Sequence, residues 1–188
     1  AATYAGAITV NADGDELDTN ASTITGGTGA DVLNITADAG GAALMTNVTN
    51  VETVNILGTT ASQTITLVDG NAAAATGTVA RQVLTVDASG LTTGVATINA
   101  DAETDAEIII KGGAGDDIIT ISSSTVVGDV ITAGAGDDRI RISQSADLTA
   151  ADSIDGGADG TAVGDVGDQL VFAANSTVTD AQLTKVSN

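Results

Sequence analysis

Apolar and polar residues alternate in short stretches along the chain. In Val54-Asn55-Ile56 and Ile140-Arg141-Ile142, an apolar side chain stands at every second position. Successive side chains of a β-strand point to opposite faces of the sheet, so this period of two predicts strands with one buried and one exposed face. Strands are predicted at Thr53–Leu57, Thr64–Val68, Gln82–Val86, Val95–Asn99, Glu107–Ile110, Ile118–Ile121, Val126–Thr132, Arg139–Ile142 and Gln169–Phe172, with an N-terminal strand at Ala5–Asn11.

The predicted strands begin at intervals of roughly 10 to 20 residues, as the rungs of a solenoid or the strands of a β-sandwich do. Helical patterning is confined to Ala72–Ala75, Ala150–Ile154 and Thr179–Val186. Aromatic residues make up 1% of the chain, and its apolar side chains are mostly Ala, Val, Ile and Leu. Because small side chains fill a thin interior better than the wide core of a globule, we predict an all-β, elongated β-solenoid.

Acidic residues dominate the charge, with 25 acids against 5 bases and a net charge of -20. Self-repulsion of this size opposes a compact state. Two interpretations stay open: a highly soluble acidic surface, or carboxylates that bound cations neutralise as the chain folds. Nucleic acids and anionic lipids are poor partners for such a chain, because both bind Lys and Arg. No stretch approaches the roughly 20 apolar residues of a membrane span, so membrane insertion is not expected.

Several residue types are missing, and their absence excludes whole classes of site. The chain has no Cys, no His and no Pro, so disulfides and thiolate metal sites are excluded. An all-oxygen ligand set suits calcium better than zinc or copper. The most common general base is missing, and no nucleophile elbow or phosphate-binding loop is present. Asp116 and Asp117 could serve a glycosidase, but no aromatic sugar platform accompanies them. We therefore predict that the chain is not an enzyme.

Three segments share a pattern of glycines followed by aspartate: Gly26–Asn34, Gly112–Thr120 and Ala133–Arg141. The first two match the nonapeptide G-G-x-G-x-D-x-U-x, in which U is a large apolar residue, and the third differs by Ala133 in the first glycine position. Glycine permits tight turns that expose backbone carbonyls, and the aspartate supplies the hard oxygen that calcium prefers.

These nonapeptides resemble the RTX repeat proteins, whose parallel β-roll binds calcium. In style the chain is most similar to RTX-type surface-layer, large adhesin and extracellular-matrix proteins of bacteria. Asn50-Val51-Glu52 is similar to segments of those proteins, and Asp155–Gly160, continuing to Asp168, resembles a degenerate repeat. The nonapeptide likeness is confined to these three segments, and the looser likeness covers most of the chain. The resemblance implies a parallel, RTX β-roll-like solenoid with Ca²⁺ in its Gly-Asp turns.

The resemblance also implies a ligand set. Carboxylates would come from Asp31, Asp117 and Asp138. The best local candidates to join Asp31 are Asp13 and Asp15, about one coil upstream. Backbone carbonyls would come from Gly112, Ala114, Ala133 and Ala135, with Asp116 and Asp137 added through their carbonyls. The second and third motifs start 21 residues apart, so we expect them to stack directly, with the best calcium site between them.

Other acids are interpreted without the nonapeptide pattern. Asp155, Asp159, Asp165 and Asp168 are either ligands or part of a solvated loop, and both interpretations stay open. Asp101, Glu103, Asp105 and Glu107 alternate, which predicts that all four lie on one solvated face of a strand. We predict a single solenoid over 1–188, with N-terminal rungs in 1–40, metal-poor rungs in 41–106, and metal-rich rungs with a tail in 107–188.

The implied function is that of a calcium-dependent structural protein that assembles with copies of itself into a surface layer, a biofilm-matrix filament or an adhesin stalk. Ala5–Asn11 and Thr177–Val186 are the expected contact elements, and a cell-surface polysaccharide is left open as a second partner. The expected location is extracellular or on the bacterial cell surface, after type I secretion, with folding triggered by calcium. One alternative is a C-terminal secretion and folding module of a type I-secreted enzyme or toxin. Another is an ice-binding array built on Thr23-Ile24-Thr25 and Thr64-Ile65-Thr66.

Overall fold

Short parallel strands make up nearly all the regular structure. The computed structural model describes residues 6–13, 17, 23–38, 41–72, 82–125, 127–160, 166–173 and 186–187. Besides a 3₁₀ turn at Met45–Asn47, these residues form β1 Thr9–Asp13, β2 Ile24–Thr25, β3 Val32–Thr36, β4 Gly41–Leu44, β5 Val48–Thr49, β6 Thr53–Leu57, β7 Gln63–Thr66, β8 Val83–Asp87, β9 Ala96–Asn99, β10 Glu107–Lys111, β11 Ile118–Thr120, β12 Val130–Ala135, β13 Arg139–Ile142, β14 Ser153–Ala158, β15 Gln169–Phe172 and β16 Val186–Ser187.

The strands are stacked in two main sheets. The eight-stranded sheet has the order β1-β3-β6-β8-β10-β12-β14-β16, and the six-stranded sheet has the order β15-β13-β11-β9-β7-β4. A two-stranded sheet joins β2 to β5, and every neighbouring pair is parallel, as between β11 and β13. Because the chain alternates between the two main sheets, it winds as a β-solenoid of about six turns. The predicted all-β parallel solenoid is therefore confirmed.

The coils differ in length while the sheets keep their pairing. Ile118 pairs with Arg139, 21 residues later, whereas Thr53 pairs with Thr85, 32 residues later.

Columns of aliphatic side chains form the core between the two main sheets. Val86, Ile110 and Ile131 stack at one register of the eight-stranded sheet, and Ile98 and Ile119 stack in the six-stranded sheet. All five are at most 1% exposed. Burying such a side chain contributes roughly 1.5–3 kcal/mol, so one column per sheet face already supplies much of the driving force. The thin interior explains why small apolar residues suffice.

The outward face of the eight-stranded sheet carries a polar column. The side-chain amides of Asn34 and Asn55 donate to the Oδ1 atoms of Asn11 and Asn34, respectively, each at 2.9 Å. Asp87 follows in the same column and forms an ion pair with Lys111, with 3.0 Å between Oδ2 and Nζ. The alternation read from the sequence thus places amides outside and aliphatic residues inside.

Most strand predictions are confirmed. Thr53–Leu57, Arg139–Ile142 and Gln169–Phe172 are observed with the predicted bounds. The strand predicted at Val126–Thr132 instead begins at Val130, because the chain first closes a turn in which the Ser122 N–H donates to Asp129 Oδ2 at 2.8 Å.

The helical predictions were less successful. A helical turn at Ala150–Ile154 is wrong, because β14 begins at Ser153 and places Ile154 in the core. Of Ala72–Ala75, only Ala72 lies within the described residues. Thr179–Val186 lies outside them except for Val186, which begins β16. No helix among the described residues has the length and apolar character needed to cross a membrane.

The prediction that Asp101, Glu103, Asp105 and Glu107 share one face of a strand is also wrong. Residues 101–106 form the connection between β9 and β10, and Glu107 alone of the four belongs to a strand. Glu103 is fully buried, and its Oε1 accepts the N–H groups of Thr104, Asp105 and Ala106 at 3.1–3.2 Å. The alternation here reflects a turn closed by a buried carboxylate.

Candidate functional site

The second and third Gly-Asp motifs lie in consecutive rungs. The Asp117 N–H donates to Asp138 Oδ1 at 2.7 Å, and the Gly112 N–H donates to the Thr132 carbonyl at 2.9 Å. The N–H of Ala135 donates to the Gly113 carbonyl at 3.1 Å. The predicted direct stacking is thus confirmed. Residues expected to offer carbonyl oxygens lie in these same two rungs: Gly112, Ala114, Ala133 and Ala135.

Asp117, Asp138 and Asp168 form an inward-facing column, which we call the inner column. They occupy equivalent positions directly before β11, β13 and β15. Each carboxylate accepts the backbone N–H of the preceding rung: Asp168 accepts that of Asp138 at 2.9 Å, and Asp117 accepts that of Ala96 at 2.7 Å. Asp117 and Asp138 are each 1% exposed. Two buried carboxylates are therefore held one rung apart.

The first Gly-Asp motif uses the same hydrogen bonds at a different corner. Asp31 accepts the N–H of Ile8 at 2.7 Å and that of Gly27 at 2.5 Å. Asp117 likewise accepts one N–H from the preceding rung and one, from Gly113, four residues earlier in its own turn. Asp31 leads into the eight-stranded sheet, whereas Asp117 leads into the six-stranded sheet. The motif thus closes turns at both corners.

Asp138 departs from this pattern. Its Oδ2 is buried and has no hydrogen-bond partner, whereas the corresponding atom of Asp117 accepts the Gly113 N–H. Gly113 lies between β10 and β11, but Gly134, its equivalent, remains within β12 with a φ of 119°. The third motif therefore leaves one carboxylate oxygen of the inner column without a donor.

Burial and neighbouring negative charges raise the pKa of Asp117 and Asp138. Burial raises the pKa of Asp138 to about 7, and the charges of Asp117, Asp168 and Asp116 add to the rise. Burial likewise raises the pKa of Asp117 to about 6, against the lowering effect of its backbone hydrogen bonds. Near neutral pH, Asp117 and Asp138 therefore bind protons or require positive charge.

Sequence reasoning missed three acids that play the same structural role. Asp129 and Asp152 are buried before β12 and β14, and Glu52 stands at the equivalent position before β6. The N–H of Asp129 donates to Asp152 Oδ1 at 2.6 Å, and that of Asp31 donates to Glu52 Oε2 at 2.6 Å. Their common signal is an acid two positions before the first core residue of a strand, as in Asp129-Val130-Ile131.

Asp116 and Asp137 were expected to add carbonyl ligands. Asp116 is exposed, and its Oδ1 accepts the Asp137 N–H at 3.0 Å. Asp137 accepts the N–H groups of Gly160 and Val166, at 3.1 and 2.9 Å. Their carboxylates therefore join rungs on the solvent side of the inner column.

The remaining candidate acids fall in different places. Asp155 lies on the outward face of β14 and Asp159 lies just after it, and both are exposed. Asp165 lies outside the described residues. Four acids were left open in this region. Among those that the structure describes, Asp168 alone lies in the inner column.

The expected partners of Asp31 are not brought to it. Asp13 pairs with Thr36 at the far end of the strand, five residues or roughly 16 Å from Asp31. Ile8, and not Asp13, stands beside Asp31, because the pairing of β1 with β3 sets an offset of 23 residues. The proposed pairing with Asp13 is therefore corrected, and Asp15 lies outside the described residues.

The donor chemistry of the inner column fits a hard cation. Asp138 Oδ2 is buried and has no donor, and the negative charge of Asp117 in the preceding rung acts on the same carboxyl group. Rungs repeat every 4.7–4.9 Å or so, so one ion can contact the carboxylates of two consecutive rungs at most and requires carbonyls for the rest. Asp138 with Asp117 fits this requirement best, while the nonapeptide ligand set stays a prediction.

A pH dependence follows from the raised pKa values. A carboxyl group whose pKa is higher in the folded state stabilises the fold fully below its unfolded pKa, and this contribution is lost as pH rises through the folded pKa. For Asp138 that window extends from 3.8 to about 7. We expect the calcium-free protein to be on the order of 3 kcal/mol more stable near pH 5 than near pH 8.

Denaturant unfolding in calcium-free buffers measures this difference. Asp138→Asn should flatten the profile, whereas Asp155→Asn, which removes an exposed charge, should leave its slope intact. A free energy of unfolding that stays constant across the window would contradict the prediction.

Comparison of the chain with protein-family models, with curated proteins and with solved structures finds no match.

Proposed function

We propose that the chain is a calcium-dependent extracellular structural protein that assembles with copies of itself into a surface layer, a matrix filament or an adhesin stalk. Calcium would join successive rungs of the solenoid at the inner column. The expected non-enzymatic role, type I secretion and cell-surface location belong to this same proposal.

One observation carries the proposal: Asp117 and Asp138 are buried one rung apart, and Asp138 Oδ2 has no donor. Buried carboxylates are normally paired with a cation or hydrogen-bonded, because an isolated buried charge costs several kcal/mol. Among the described residues, Lys111 forms an ion pair with Asp87, on the outward face. A divalent cation would neutralise the carboxylates and would also coordinate the oxygen that has no hydrogen-bond donor.

The sheet edges support the self-assembly part. β1 and β16 lie at the two edges of the eight-stranded sheet, and β4 and β15 lie at the edges of the six-stranded sheet. An edge strand offers backbone N–H and carbonyl groups to another chain, and solenoids stack through such edges. β1 and β16 overlap the segments expected from the sequence to make contacts.

Folding after export would follow from the same chemistry. With 25 acids and 5 bases, the metal-free chain carries strong self-repulsion. Metal binding to the folded state adds directly to folding stability, so low cytoplasmic calcium would keep the chain unfolded until it meets the calcium outside the cell.

Electron microscopy in the presence and absence of millimolar calcium tests the proposal. We expect ordered sheets or filaments with calcium and none without it. Asp117→Asn combined with Asp138→Asn should raise the calcium concentration needed for assembly at least about tenfold, because it weakens ligands in two rungs.

The matched control is Asp155→Asn with Asp159→Asn, which removes the same charge from exposed positions. This control should assemble at nearly the wild-type calcium concentration. Monomers under both conditions would refute assembly, and calcium-dependent folding without assembly would favour the secretion-module alternative. Thr23-Ile24-Thr25 and Thr64-Ile65-Thr66 lie in different sheets, with β2 and β7, which gives the ice-binding alternative no continuous array.

A further inference from the structure

A second group of acids lies away from the Gly-Asp turns. Asp69 follows β7, and Glu103 and Asp105 lie between β9 and β10. Carboxylate oxygens from all three lie within 4.8 Å of one another. β7 and β9 are neighbours in the six-stranded sheet, so these acids bring together the turns of two consecutive rungs.

Hydrogen bonds hold the group in place but leave part of it unpaired. Asp69 Oδ1 accepts the backbone N–H of Thr104 at 3.2 Å and its hydroxyl at 2.5 Å. Glu103 is 0% exposed, and its Oε1 accepts three backbone N–H groups, yet its Oε2 is buried without a partner. Asp105 Oδ1 is likewise buried without a partner. Two oxygens are thus positioned with no hydrogen to accept.

Burial and mutual repulsion would both be relieved if a positive charge were bound among these three carboxylates. Burial raises the pKa of Glu103, and the charges of Asp69 and Asp105 raise it further against the effect of its backbone hydrogen bonds. Two oxygens bound to opposite sides of a calcium ion at 2.3–2.6 Å are separated by about 5 Å. The three carboxylate oxygens lie within 4.8 Å of one another, so all three can contact one such ion.

We propose that Asp69, Glu103 and Asp105 form a binding site for a divalent cation of the calcium class, which joins the turn after β7 to the turn after β9. Calcium accepts irregular sets of six to eight oxygens, whereas magnesium demands near-octahedral geometry. The site does not depend on calcium binding by the Gly-Asp turns, and it lies in the region that the sequence predicts to be metal-poor.

Glu103→Gln separates a cation ligand from a purely structural residue. Glutamine keeps Oε1 as the acceptor of the three backbone N–H groups but removes the negative charge. Without calcium, the variant should melt higher than the wild type, because repulsion within the group is relieved. With calcium, the increase in melting temperature should shrink by about 5 °C, because one site is lost.

Isothermal titration with calcium provides the second measurement. Glu103→Gln should bind one ion fewer per chain, whereas Asp101→Asn, in the same turn but outside the group, should keep the wild-type stoichiometry. In the wild type, the amide resonances of Thr104, Asp105 and Ala106 should shift on calcium addition. This measurement needs no variant and therefore holds even if a variant fails to fold. Unchanged stoichiometry in Glu103→Gln, or amide resonances that ignore calcium, would overturn the proposal.

Discussion

Removing calcium from the protein near pH 7.5 is expected to lower the melting temperature by roughly 20 °C and to reduce the β-sheet circular dichroism signal. At that pH the carboxyl groups of Asp117 and Asp138, with pKa values of about 6 and 7, are largely ionised in a buried column. A ligand present at 100 times its dissociation constant stabilises by about 2.7 kcal/mol per site, and each kcal/mol shifts the melting temperature of a chain this size by about 2–4 °C. Several sites together give the expected shift.

Repeating the melts near pH 5 provides an internal control. There Asp117 and Asp138 bind protons, so the difference between calcium-loaded and calcium-free protein should narrow. Adding calcium back should restore the original melting temperature, while an equal concentration of magnesium should restore less of it. Identical melting curves before and after calcium removal would exclude calcium as the element that stabilises the solenoid.

The second large effect is expected for Gly134→Ala. Gly134 has a φ of 119°, which side chains rarely tolerate, and a Cβ there would overlap the Gly113 carbonyl oxygen in the preceding rung. Strained backbone of this kind costs about 1–3 kcal/mol, and the overlap adds to it. We expect the melting temperature to fall by roughly 10 °C with or without calcium.

Gly70→Ala is the matched control. A Cβ at Gly70 meets no atom within 4 Å, and its φ lies outside the left-handed range. The control should therefore melt within a few degrees of the wild type, or slightly higher because alanine restricts the unfolded chain. If both variants melt alike, the glycines of the third motif are not needed for the close stacking of rungs.

Local pattern predicted the strands best where apolar and polar residues alternate strictly. Thr53–Leu57 and Arg139–Ile142 were found with their predicted bounds for this reason. β4, with the sequence Gly-Ala-Ala-Leu, carries no such alternation and becomes a strand through its pairing with β7. β14 resembled a helical turn, although its partner β12 dictates an extended conformation. Long-range pairing thus decides the weakly patterned segments.

The same distinction applies to the candidate sites. The 21-residue spacing of the second and third motifs was sufficient to predict that Asp117 and Asp138 lie in consecutive rungs. No local signal joins Asp69 to Glu103, because they meet only once coils of unequal length have been stacked. The sequence also did not predict that Glu103 points inward, because its buried Oε1 closes a turn that no local pattern indicates.

The hydrogen bonds that join rung to rung run along the solenoid axis, and this arrangement determines how the molecule would respond to tension. Under a pull applied between β1 and β16, the interfaces are loaded in series, so each carries the whole force and the weakest separates first. A released coil such as that from Ile118 to Arg139 frees roughly 7 nm of extended chain. The fold would therefore lengthen in steps, one coil at a time, and absorb mechanical work before the whole solenoid is unfolded.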